Sequence, residues 1–436
     1  MIITIIIALV RLCEKLLRLF GRGATSFPGK LALFLKKDIL KSLSRGVRII
    51  AVTGTNGKTT TCAMIESALK KAGISCFLNR SGANLITGVT AAFIANCNLF
   101  GRCRYDCAVL ECDENALKKI SLYIDAQILV VTNIFRDQLD RYGEVSSTLA
   151  AIREGAGNMK NALLVLNADD PLTFSLSRLG NPYVSFGISK RLSLGGRGES
   201  EFCPFCGTAY EYAFRTYSQL GGFYCPSCGY ARETPDYSAE EVFLQDPDTS
   251  SFFAVFRGKA ALVSVNLGGI YNVYNALAAA AALREFGVGL SDVENALSEF
   301  GGAFGRMERF ENVRMLLVKN PAGFTQTVNY IKPLAVHNLI FVLNDNDADG
   351  KDVSWIWDAQ IDIGDHVENV YAFGIRSGDM ALRLKYAGIQ AKIIKNYDEF
   401  KKITSQPDTV IIPTYTAMMA LRPYFAHRSG KKEFWQ

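Results

Sequence analysis

The chain has 436 residues, of which 49% are hydrophobic and 21% charged, and it carries a net charge of +6. This length is too great for one ordinary hydrophobic core, so we expect two or three globular domains. The mild net charge, without a Lys/Arg block in the sequence, argues against a nucleic-acid partner. Eleven cysteines and no recognisable export signal favour a reducing compartment over a disulfide framework, which predicts a cytoplasmic protein.

Residues 1–46 are predicted to form an N-terminal helix and a basic connector. Met1 to Val10 is an apolar run of ten residues with basic side chains after it. A secretory signal has the opposite order, and a membrane-spanning helix needs about 20 apolar residues. We interpret residues 1–21 as an amphipathic helix that docks on the protein's own core. Attachment of this helix to the inner face of the plasma membrane is the alternative.

Residues 47 to about 185 alternate strand and helix patterns, which predicts an α/β domain with a mostly parallel sheet covered on both faces. The predicted strands are 47–52, 74–78, 107–112, 127–132, 162–166 and 183–186. The predicted helices are 58–72, 113–121 and 146–159. Ligands of such sheets bind beyond the carboxyl ends of the strands, so the residues after each strand carry most of the functional information.

The first strand runs into a glycine-rich turn that opens a helix, Gly54-Thr-Asn-Gly-Lys-Thr-Thr60. This geometry aims backbone N–H groups and a helix N-terminus at an anion. Lys58 adds a point charge for the outer phosphates, and Thr59 offers a hydroxyl to a magnesium ion. The loop is shorter than the usual nucleotide loop because Val52 stands where the first glycine would be. The predicted phosphate-binding residues are Gly54, Thr55, Asn56, Gly57, Lys58, Thr59 and Thr60.

Two further strands end in informative side chains. Glu111 ends an apolar strand beside the phosphate loop, where a carboxylate holds Mg²⁺ directly or through water. Asp113 and Glu114 follow it and fit the start of the next helix. Asn133 leaves the strand after that with an amide that both donates to and accepts from a purine edge.

Residues from about 200 to 232 contain two cysteine knuckles, Cys203-Pro-Phe-Cys206 and Cys225-Pro-Ser-Cys228, separated by 18 residues. Two such knuckles bring four thiolates within reach of one Zn²⁺, and Gly207 and Gly229 let backbone N–H groups turn towards the sulfurs. We therefore predict a structural zinc ribbon. The other seven cysteines lack this spacing and are expected to be small buried side chains.

The stretch between the knuckles is rich in aromatic residues and contains Arg215 as its only basic residue. Without a basic groove, the phosphate-driven part of nucleic-acid binding is missing. We interpret the ribbon as a brace or a docking surface.

Residues 311–436 are predicted to form a smaller C-terminal α/β domain. Its predicted strands are 314–318, 337–343, 368–373, 391–394 and 409–412. An acidic run over 344–352 resembles a calcium loop, but Ile356 stands where such a loop needs glutamate, which argues against calcium. Asp352 is placed to cap a helix that starts at Val353.

Five blocks in order resemble the Mur ligase family of ATP-dependent amide-forming enzymes. They are Thr53–Thr60, Glu111, Thr132-Asn-Ile-x-x-Asp-x-Leu-Asp140, Gly269-Ile-Tyr-Asn-Val-Tyr-Asn-Ala-Leu-Ala-Ala279 and Gly305-Arg306. The resemblance implies an ATP-binding domain over 47–310. By position it implies adenine contacts from Asn133 and Asn275, with Asn272 near the same pocket. It also implies a phosphate contact from Arg306.

The ribbon, Lys319-Asn-Pro-Ala-Gly323 and the acidic run together resemble one branch of that family, the ligase-like subunit of lipid II isoglutaminyl synthase. This implies that ATP activates the α-carboxyl of D-glutamate in the lipid II stem peptide and that ammonia converts it to an amide. The ammonia comes from a separate GatD-like glutaminase subunit in a heterodimer. Asp352 then corresponds to the aspartate that orients the partner's histidine, and capping of the helix at Val353 is the alternative role.

The predicted chemistry is electrostatic, with Lys58, Glu111 and Asp352 as the catalytic residues. Lys58, the loop N–H groups, Arg306 and Mg²⁺ held by Thr59 and Glu111 offset the negative charge of phosphoryl transfer to a carboxylate. Mur ligases also use a carbamylated lysine for a second magnesium, and the ribbon interrupts the region where it would lie. The alternatives are a conventional ligase that adds an amino acid and a nucleotide-dependent scaffold without chemistry.

Overall fold

The computed structural model describes residues 2–19, 27–79, 83–136, 145–189, 201–244, 248–301 and 307–430. The N-terminal segment contains α1 (Ile2–Leu19), α2 (Phe27–Leu35) and α3 (Ile39–Leu43). Helix α1 packs through the buried side chains of Ile6, Ile7 and Val10, which confirms that this helix docks on the protein's own core.

A nine-stranded sheet forms the centre of the first α/β domain. Its strands are β1 (Arg48–Thr53), β2 (Cys76–Leu78), β3 (Cys107–Glu111), β4 (Ile128–Val131), β5 (Leu163–Asn167), β6 (Tyr183–Ile188), β9 (Tyr237–Phe243), β10 (Ser250–Phe256) and β11 (Lys259–Val265). Two further strands, β7 (Glu211–Tyr217) and β8 (Leu220–Tyr224), pair with each other as a separate hairpin. Its helices are α4 (Lys58–Lys71), α5 (Ile86–Asn96), α6 (Glu114–Ile120), α7 (Val145–Asn158), α8 (Pro171–Phe174), α9 (Ile270–Phe286) and α10 (Leu290–Ser298).

The strand order across this sheet is β11-β10-β9-β6-β5-β4-β1-β3-β2. Strands β1 to β6 and β9 pair in parallel, and β9, β10 and β11 form an antiparallel meander at one edge. The predicted α/β fold with a mostly parallel sheet is therefore confirmed. Strand β1 lies between β3 and β4, so the loop after β1 opens into a crevice with strand ends on both sides.

Two hydrophobic cores cover the two faces of the sheet, and β1 shows how the sequence fills both. Its side chains alternate, with Ile50 and Val52 packing against α4, α9 and α10, and Ile49 and Ala51 packing against the N-terminal helices and α5 to α7. Because both faces of the sheet are buried, the sequence of β1 is a continuous apolar run and does not alternate between apolar and polar residues.

The sequence interpretation assigned no element to α5 or to the meander of β9 to β11. It identified only the first turns of α9. Helix α9 is buried along most of its length, and residues 276–282 are mostly alanine. Apolar residues therefore lie on all sides of the helix, and no repeat of apolar and polar residues indicates where it ends.

The C-terminal domain is built on a six-stranded sheet with the order β12-β13-β17-β14-β15-β16. Its strands are β12 (Glu308–Phe310), β13 (Val313–Met315), β14 (Val336–Val342), β15 (Val367–Phe373), β16 (Lys392–Ile393) and β17 (Thr409–Pro413), and its helices are α11 (Pro321–Ile331), α12 (Ser377–Tyr386), α13 (Tyr397–Thr404) and α14 (Tyr415–Arg428). Strand β12 belongs to this sheet, so the sheet begins before the predicted domain boundary at residue 310.

Candidate functional site

The glycine-rich turn follows β1 and ends where α4 begins. Gly54 has φ +119° and Gly57 has φ +88°, both in the region that favours glycine. A Cβ on Gly54 would overlap the Thr132 hydroxyl, and a Cβ on Gly57 would overlap the Asn275 amide oxygen. Only glycine therefore fits either position, because neighbouring chain segments pack directly against the backbone of the loop.

Lys58 is nearly buried at the start of α4. Its ammonium donates to the Gly54 carbonyl at 2.6 Å and pairs with the Glu114 carboxylate at 2.8 Å. Glu114, which the sequence interpretation assigned to the start of a helix, thus makes the ion pair, and the neighbouring Asp113 caps α6. A phosphate that binds in this loop would compete with Glu114 for the ammonium.

Glu111 ends β3 directly beside β1 and is nearly buried. The buried Asn79 fixes this strand end, because its side chain accepts from the Glu111 amide at 2.7 Å and donates to the Glu111 carbonyl at 2.8 Å. Glu111 and the half-buried Thr59 supply carboxylate and hydroxyl oxygens at the phosphate loop. Hard oxygen donors of this kind fit Mg²⁺.

Two buried thiols, Cys62 and Cys112, lie near this carboxylate. Burial raises the pKa of Cys62 and Cys112 well above the ordinary thiol value, and the charge of Glu111 raises both further. Both cysteines remain neutral at physiological pH, as expected of small buried side chains.

A cleft lies between the phosphate loop, the start of α9 and the C-terminal domain. It encloses about 790 Å³, counting the part open to solvent. Its lining includes three asparagines that the sequence analysis singled out, Asn133, Asn272 and Asn275. The lining residues are Asn56, Gly57, Thr60, Asn133, Tyr217, Leu267, Tyr271, Asn272, Asn275, Met307, Leu316, Leu317, Ala322, Gly323, Gln326 and Thr327.

Hydrogen bonds hold Asn133 to the phosphate loop and hold Asn272 and Asn275 to each other. Asn133 accepts from the Asn56 amide at 2.9 Å and donates to the Asn56 carbonyl at 3.1 Å, so it shapes the phosphate loop. Asn275 donates to the Asn272 side chain at 3.1 Å, and Asn272 donates to the Gly268 carbonyl at 2.8 Å. These contacts fix the amides at the wall of the cleft.

The four knuckle cysteines converge on one point. Their sulfur atoms all lie within 4.8 Å of one another, with Cys203 and Cys228 at 3.6 Å and Cys206 and Cys225 at 3.4 Å. A tetrahedral zinc ion with sulfur ligands at about 2.3 Å requires sulfur atoms at about this separation. The donor set and its spacing therefore fit a closed zinc site.

The hairpin of the ribbon reaches the cleft. Tyr217 ends β7 and lines the cleft, where its ring stacks on Phe135 at 5.9 Å and meets the edge of Tyr274 at 5.8 Å. The next turn is tied down by Gln219, which donates to the Ile134 carbonyl at 2.8 Å. Sequence reasoning missed Tyr217, because nothing in the local pattern indicates that this hairpin inserts beside α9.

Asp169 joins the ribbon to the same helix. Its fully buried carboxylate pairs with Arg232 at 2.6 Å and accepts from the Tyr274 hydroxyl at 2.7 Å and the Ile188 amide at 2.8 Å. A buried carboxylate with this many donors holds three segments in fixed relation. The predicted role of the ribbon as a brace thus has a visible physical basis.

Contacts between the two domains bring α11 to the phosphate loop. Asn320 caps α11 through the Gly323 amide at 2.8 Å and donates to the Asn56 side chain at 2.9 Å. A second contact pairs Arg136 with Asp358 at 3.0 Å. The C-terminal domain therefore closes one side of the cleft.

Asp352 lies at the start of a short 3₁₀ turn, Ser354–Trp357. Its carboxylate accepts from the Ser354 amide at 2.8 Å and the Ser354 hydroxyl at 2.9 Å, and these bonds lower its pKa. The turn starts at Ser354, with Val353 at its N-cap position and without a side-chain cap, so the predicted helix start at Val353 is wrong by one residue. Asp352 lies one residue before that cap, and its half-buried carboxylate stays charged. The predicted phosphate contact Arg306 and the motif residues Asp137 and Asp140 lie outside the described residues.

The acidic run before Asp352 divides its carboxylates among separate partners. Asp345 pairs with Arg376 at 3.1 Å, and Asp347 pairs with Lys351 at 3.1 Å. Asp349 accepts from the Thr416 amide at 2.8 Å. The contacts of Asp345 and Asp349 tie the run to the starts of α12 and α14, whereas the pair of Asp347 and Lys351 lies within the run itself.

Comparison with known proteins gives a near full-length match. Residues 52–199 match the Mur ligase middle domain, and residues 317–418 match the MurT ligase C-terminal domain. The MurT subunit of lipid II isoglutaminyl synthase (glutamine-hydrolyzing) from Streptococcus pneumoniae is 38% identical over 94% of this chain and 93% of its own length. The MurT subunit from Staphylococcus aureus strain COL is 34% identical over 94% and 95%. A pseudomurein peptide ligase type C from Methanothermus fervidus shares the fold, with a TM-score of 0.70, 24% identity and coverage of 90% of this chain and 80% of that chain.

Proposed function

This chain belongs to the MurT family of Mur ligase-like subunits, and on that premise we propose that it amidates the α-carboxyl of D-glutamate in the lipid II stem peptide. In this proposal ATP activates the carboxyl as an acyl phosphate, and ammonia from a GatD-like glutaminase subunit displaces the phosphate. The relatives from Streptococcus pneumoniae and Staphylococcus aureus are subunits of a glutamine-hydrolyzing lipid II isoglutaminyl synthase, which supports both the reaction and the need for a partner.

The observation that carries the proposal is that three asparagines line a cleft beside the loop of Lys58, while Glu111 ends the strand next to β1. The phosphate loop and the start of α9 contact each other through Gly57 and Asn275, so one nucleotide would touch both. We assign the phosphates to the loop amides, Lys58 and Arg306, and the purine to the wall formed by Asn133, Asn272 and Asn275.

The chemical step follows from these assignments. A carboxylate oxygen attacks the γ-phosphorus, the bond from that phosphorus to the β,γ-bridging oxygen breaks, and ADP leaves. Ammonia then attacks the acyl carbon, loses a proton and expels phosphate. The first step brings two anions together, so fixed positive charge from Lys58 and the loop N–H groups lowers its barrier most. Mg²⁺, held by Thr59 and Glu111, would add charge neutralisation at the phosphates.

Glu114 is an anionic partner of the nearly buried Lys58, and a buried lysine without a partner would be costly. In the proposed reaction a phosphate of the bound nucleotide competes with Glu114 for this ammonium.

For Asp352 we propose the role of orienting the histidine of the glutaminase partner. Its half-buried and charged carboxylate supports this role, because an ionised carboxylate accepts hydrogen bonds and can accept one from an imidazole N–H. Its bonds to Ser354 would fix the direction in which it points.

The test is amidation of lipid II by the purified chain with its co-purifying subunit, followed by mass spectrometry of the stem peptide. Glutamine and free ammonium should both support amide formation with stoichiometric ADP release, and Glu111→Gln should abolish it. The matched control is Glu66→Gln on the outer side of α4, which should keep full activity.

Two outcomes would overturn the proposal. Incorporation of an amino acid in place of ammonia would indicate a conventional ligase. Full activity of Glu111→Gln in cells would indicate a scaffold without chemistry.

A further inference from the structure

Helix α1 is fixed on the protein by its inner face. Ile6, Ile7 and Val10 are buried in the core beneath it. Arg11 donates to the Ile94 carbonyl at 2.7 Å and also to the Cys97 carbonyl, both at the end of α5. A guanidinium at a helix C-terminus is a favourable cap, so α1 presents a defined outer face.

The outer face of α1 is apolar and exposed. Ile2, Ile5, Leu9 and Leu12 are 67%, 58%, 42% and 59% exposed. Their spacing of three, four and three residues places them in one stripe along the helix. No other part of the described chain covers this stripe of four large apolar side chains, and exposed apolar patches mark interaction surfaces.

The N-terminal segment also holds the positive charge of the whole protein. Residues 1–46 contain nine Lys and Arg against two Asp and Glu, a balance of +7. The remaining residues contain 39 basic and 40 acidic side chains, a balance of −1, because the chain totals are 48 and 42. Exposed members of the basic set follow the stripe in the chain, and they are Lys15, Lys30, Lys37, Lys41 and Arg45.

From these observations we propose that α1 binds an anionic lipid surface, with its apolar stripe inserted at the boundary between headgroups and acyl chains. Stable attachment of a peripheral protein needs two signals, and this segment combines an apolar stripe with a concentrated positive charge. None of the helices in the described part of the chain is long and apolar enough to cross a membrane, so the attachment is peripheral.

An anionic lipid surface fits this face better than a protein partner does. A stable protein interface buries about 1,200 Å² or more, which four side chains on one helix cannot provide. The charge balance of +7 over residues 1–46 would repel the same segment of a second copy, whereas anionic headgroups attract it. This inference depends on the N-terminal segment alone and does not rest on the proposed amidation.

The test is co-sedimentation of the full chain, together with any co-purifying subunit, with phosphatidylcholine vesicles that contain or lack phosphatidylglycerol. Binding is expected to the anionic vesicles and should weaken as salt rises. The double variant Ile5→Glu/Leu9→Glu should bind about tenfold more weakly, because two exposed apolar side chains of the stripe are lost and two negative charges are added.

A matched control places the same substitutions at the same spacing on another exposed helix face. Leu382→Glu/Tyr386→Glu alters two exposed residues of α12 and should bind vesicles as the unchanged protein does. Circular dichroism and the melting temperature check that both variants are folded. ATP hydrolysis, measured in the same samples without vesicles, should be equal in all of them.

Three results would overturn the inference. The first is equal binding to vesicles with and without phosphatidylglycerol, and the second is unchanged vesicle binding by the α1 variant. The third is a change of oligomeric state in the α1 variant, measured by light scattering, without a change in vesicle binding, which would assign the stripe to a second copy. Because vesicle binding and amidation are measured separately, failure of one leaves the other interpretable.

Discussion

The phosphate loop and the four-cysteine ribbon are both recognisable from short sequence motifs, but different contacts hold them in shape. In the ribbon, Gly207 donates to the Cys203 carbonyl at 2.9 Å and Gly229 donates to the Cys225 carbonyl at 3.0 Å, so each knuckle closes within five residues. The phosphate loop instead depends on Asn133 and, through Gly57, on a residue of α9. The shape of a motif that is stabilised by its own residues can be predicted from its local sequence. For a motif that is stabilised by distant residues, the local sequence indicates the chemistry but not the contacts that hold its shape.

Lys58→Ala should have the largest effect, and it tests the proposed role of the phosphate loop. Loss of the charge that faces the transferred phosphoryl group should lower the amidation rate by about a thousandfold. Amidation and ADP release under saturating ATP measure it. Lys70→Ala, which removes an exposed lysine from the same helix, serves as the control and should change neither. A comparable loss in both variants would contradict the role of Lys58.

Cys225→Ser should have the next largest effect and tests whether the ribbon is held by its metal. The bound zinc measured in the purified protein should fall from about one ion per chain to none, and the melting temperature should drop by about 5 °C or more. Cys13→Ser, at a cysteine outside the knuckles, should retain the zinc. Zinc that persists in Cys225→Ser would show that the knuckles are not the ligands.

Tyr217→Ala tests whether the cysteine ribbon contributes to ATP binding beside the phosphate loop. Loss of its stacking in the cleft should raise the KM for ATP about tenfold, equivalent to about 1.4 kcal/mol, with a smaller change in kcat. Tyr224→Ala, at an exposed position of the same hairpin, should leave the KM unchanged. An effect on kcat alone would mean that the ribbon does not shape the nucleotide wall.

Asn320→Asp should have the smallest effect. The carboxylate still caps α11 but no longer donates to Asn56, and it places a negative charge beside the phosphate loop. The KM for ATP should rise about threefold while the melting temperature stays nearly constant. In Asn320→Ala the cap is also lost, and the free energy of unfolding should fall by about 1 kcal/mol. Equal melting temperatures in both variants would argue against the cap.

Those parts of the fold and site that are encoded in local spacing were predictable. Strand β1, the glycine turn and α4 follow from an apolar run, two glycines and a helical period, and the convergence of the cysteines follows from their doubled spacing. Neither the pairing of Lys58 with Glu114 nor the insertion of Tyr217 beside α9 leaves any trace in spacing, because each joins segments far apart in the chain. Helix α5 is a short apolar run that suits a strand equally well, so its type was undetermined.

The close approach of Gly57 to Asn275 has a consequence for synthesis of the protein. The two residues are separated by most of the first domain, including the ribbon, so a nascent chain leaves the ribosome with its phosphate loop long before the helix that completes the nucleotide wall. Such distant contacts form late in folding. The growing chain therefore completes the wall of this cleft only after its cysteine knuckles have emerged, so the four cysteines can meet before the cleft exists.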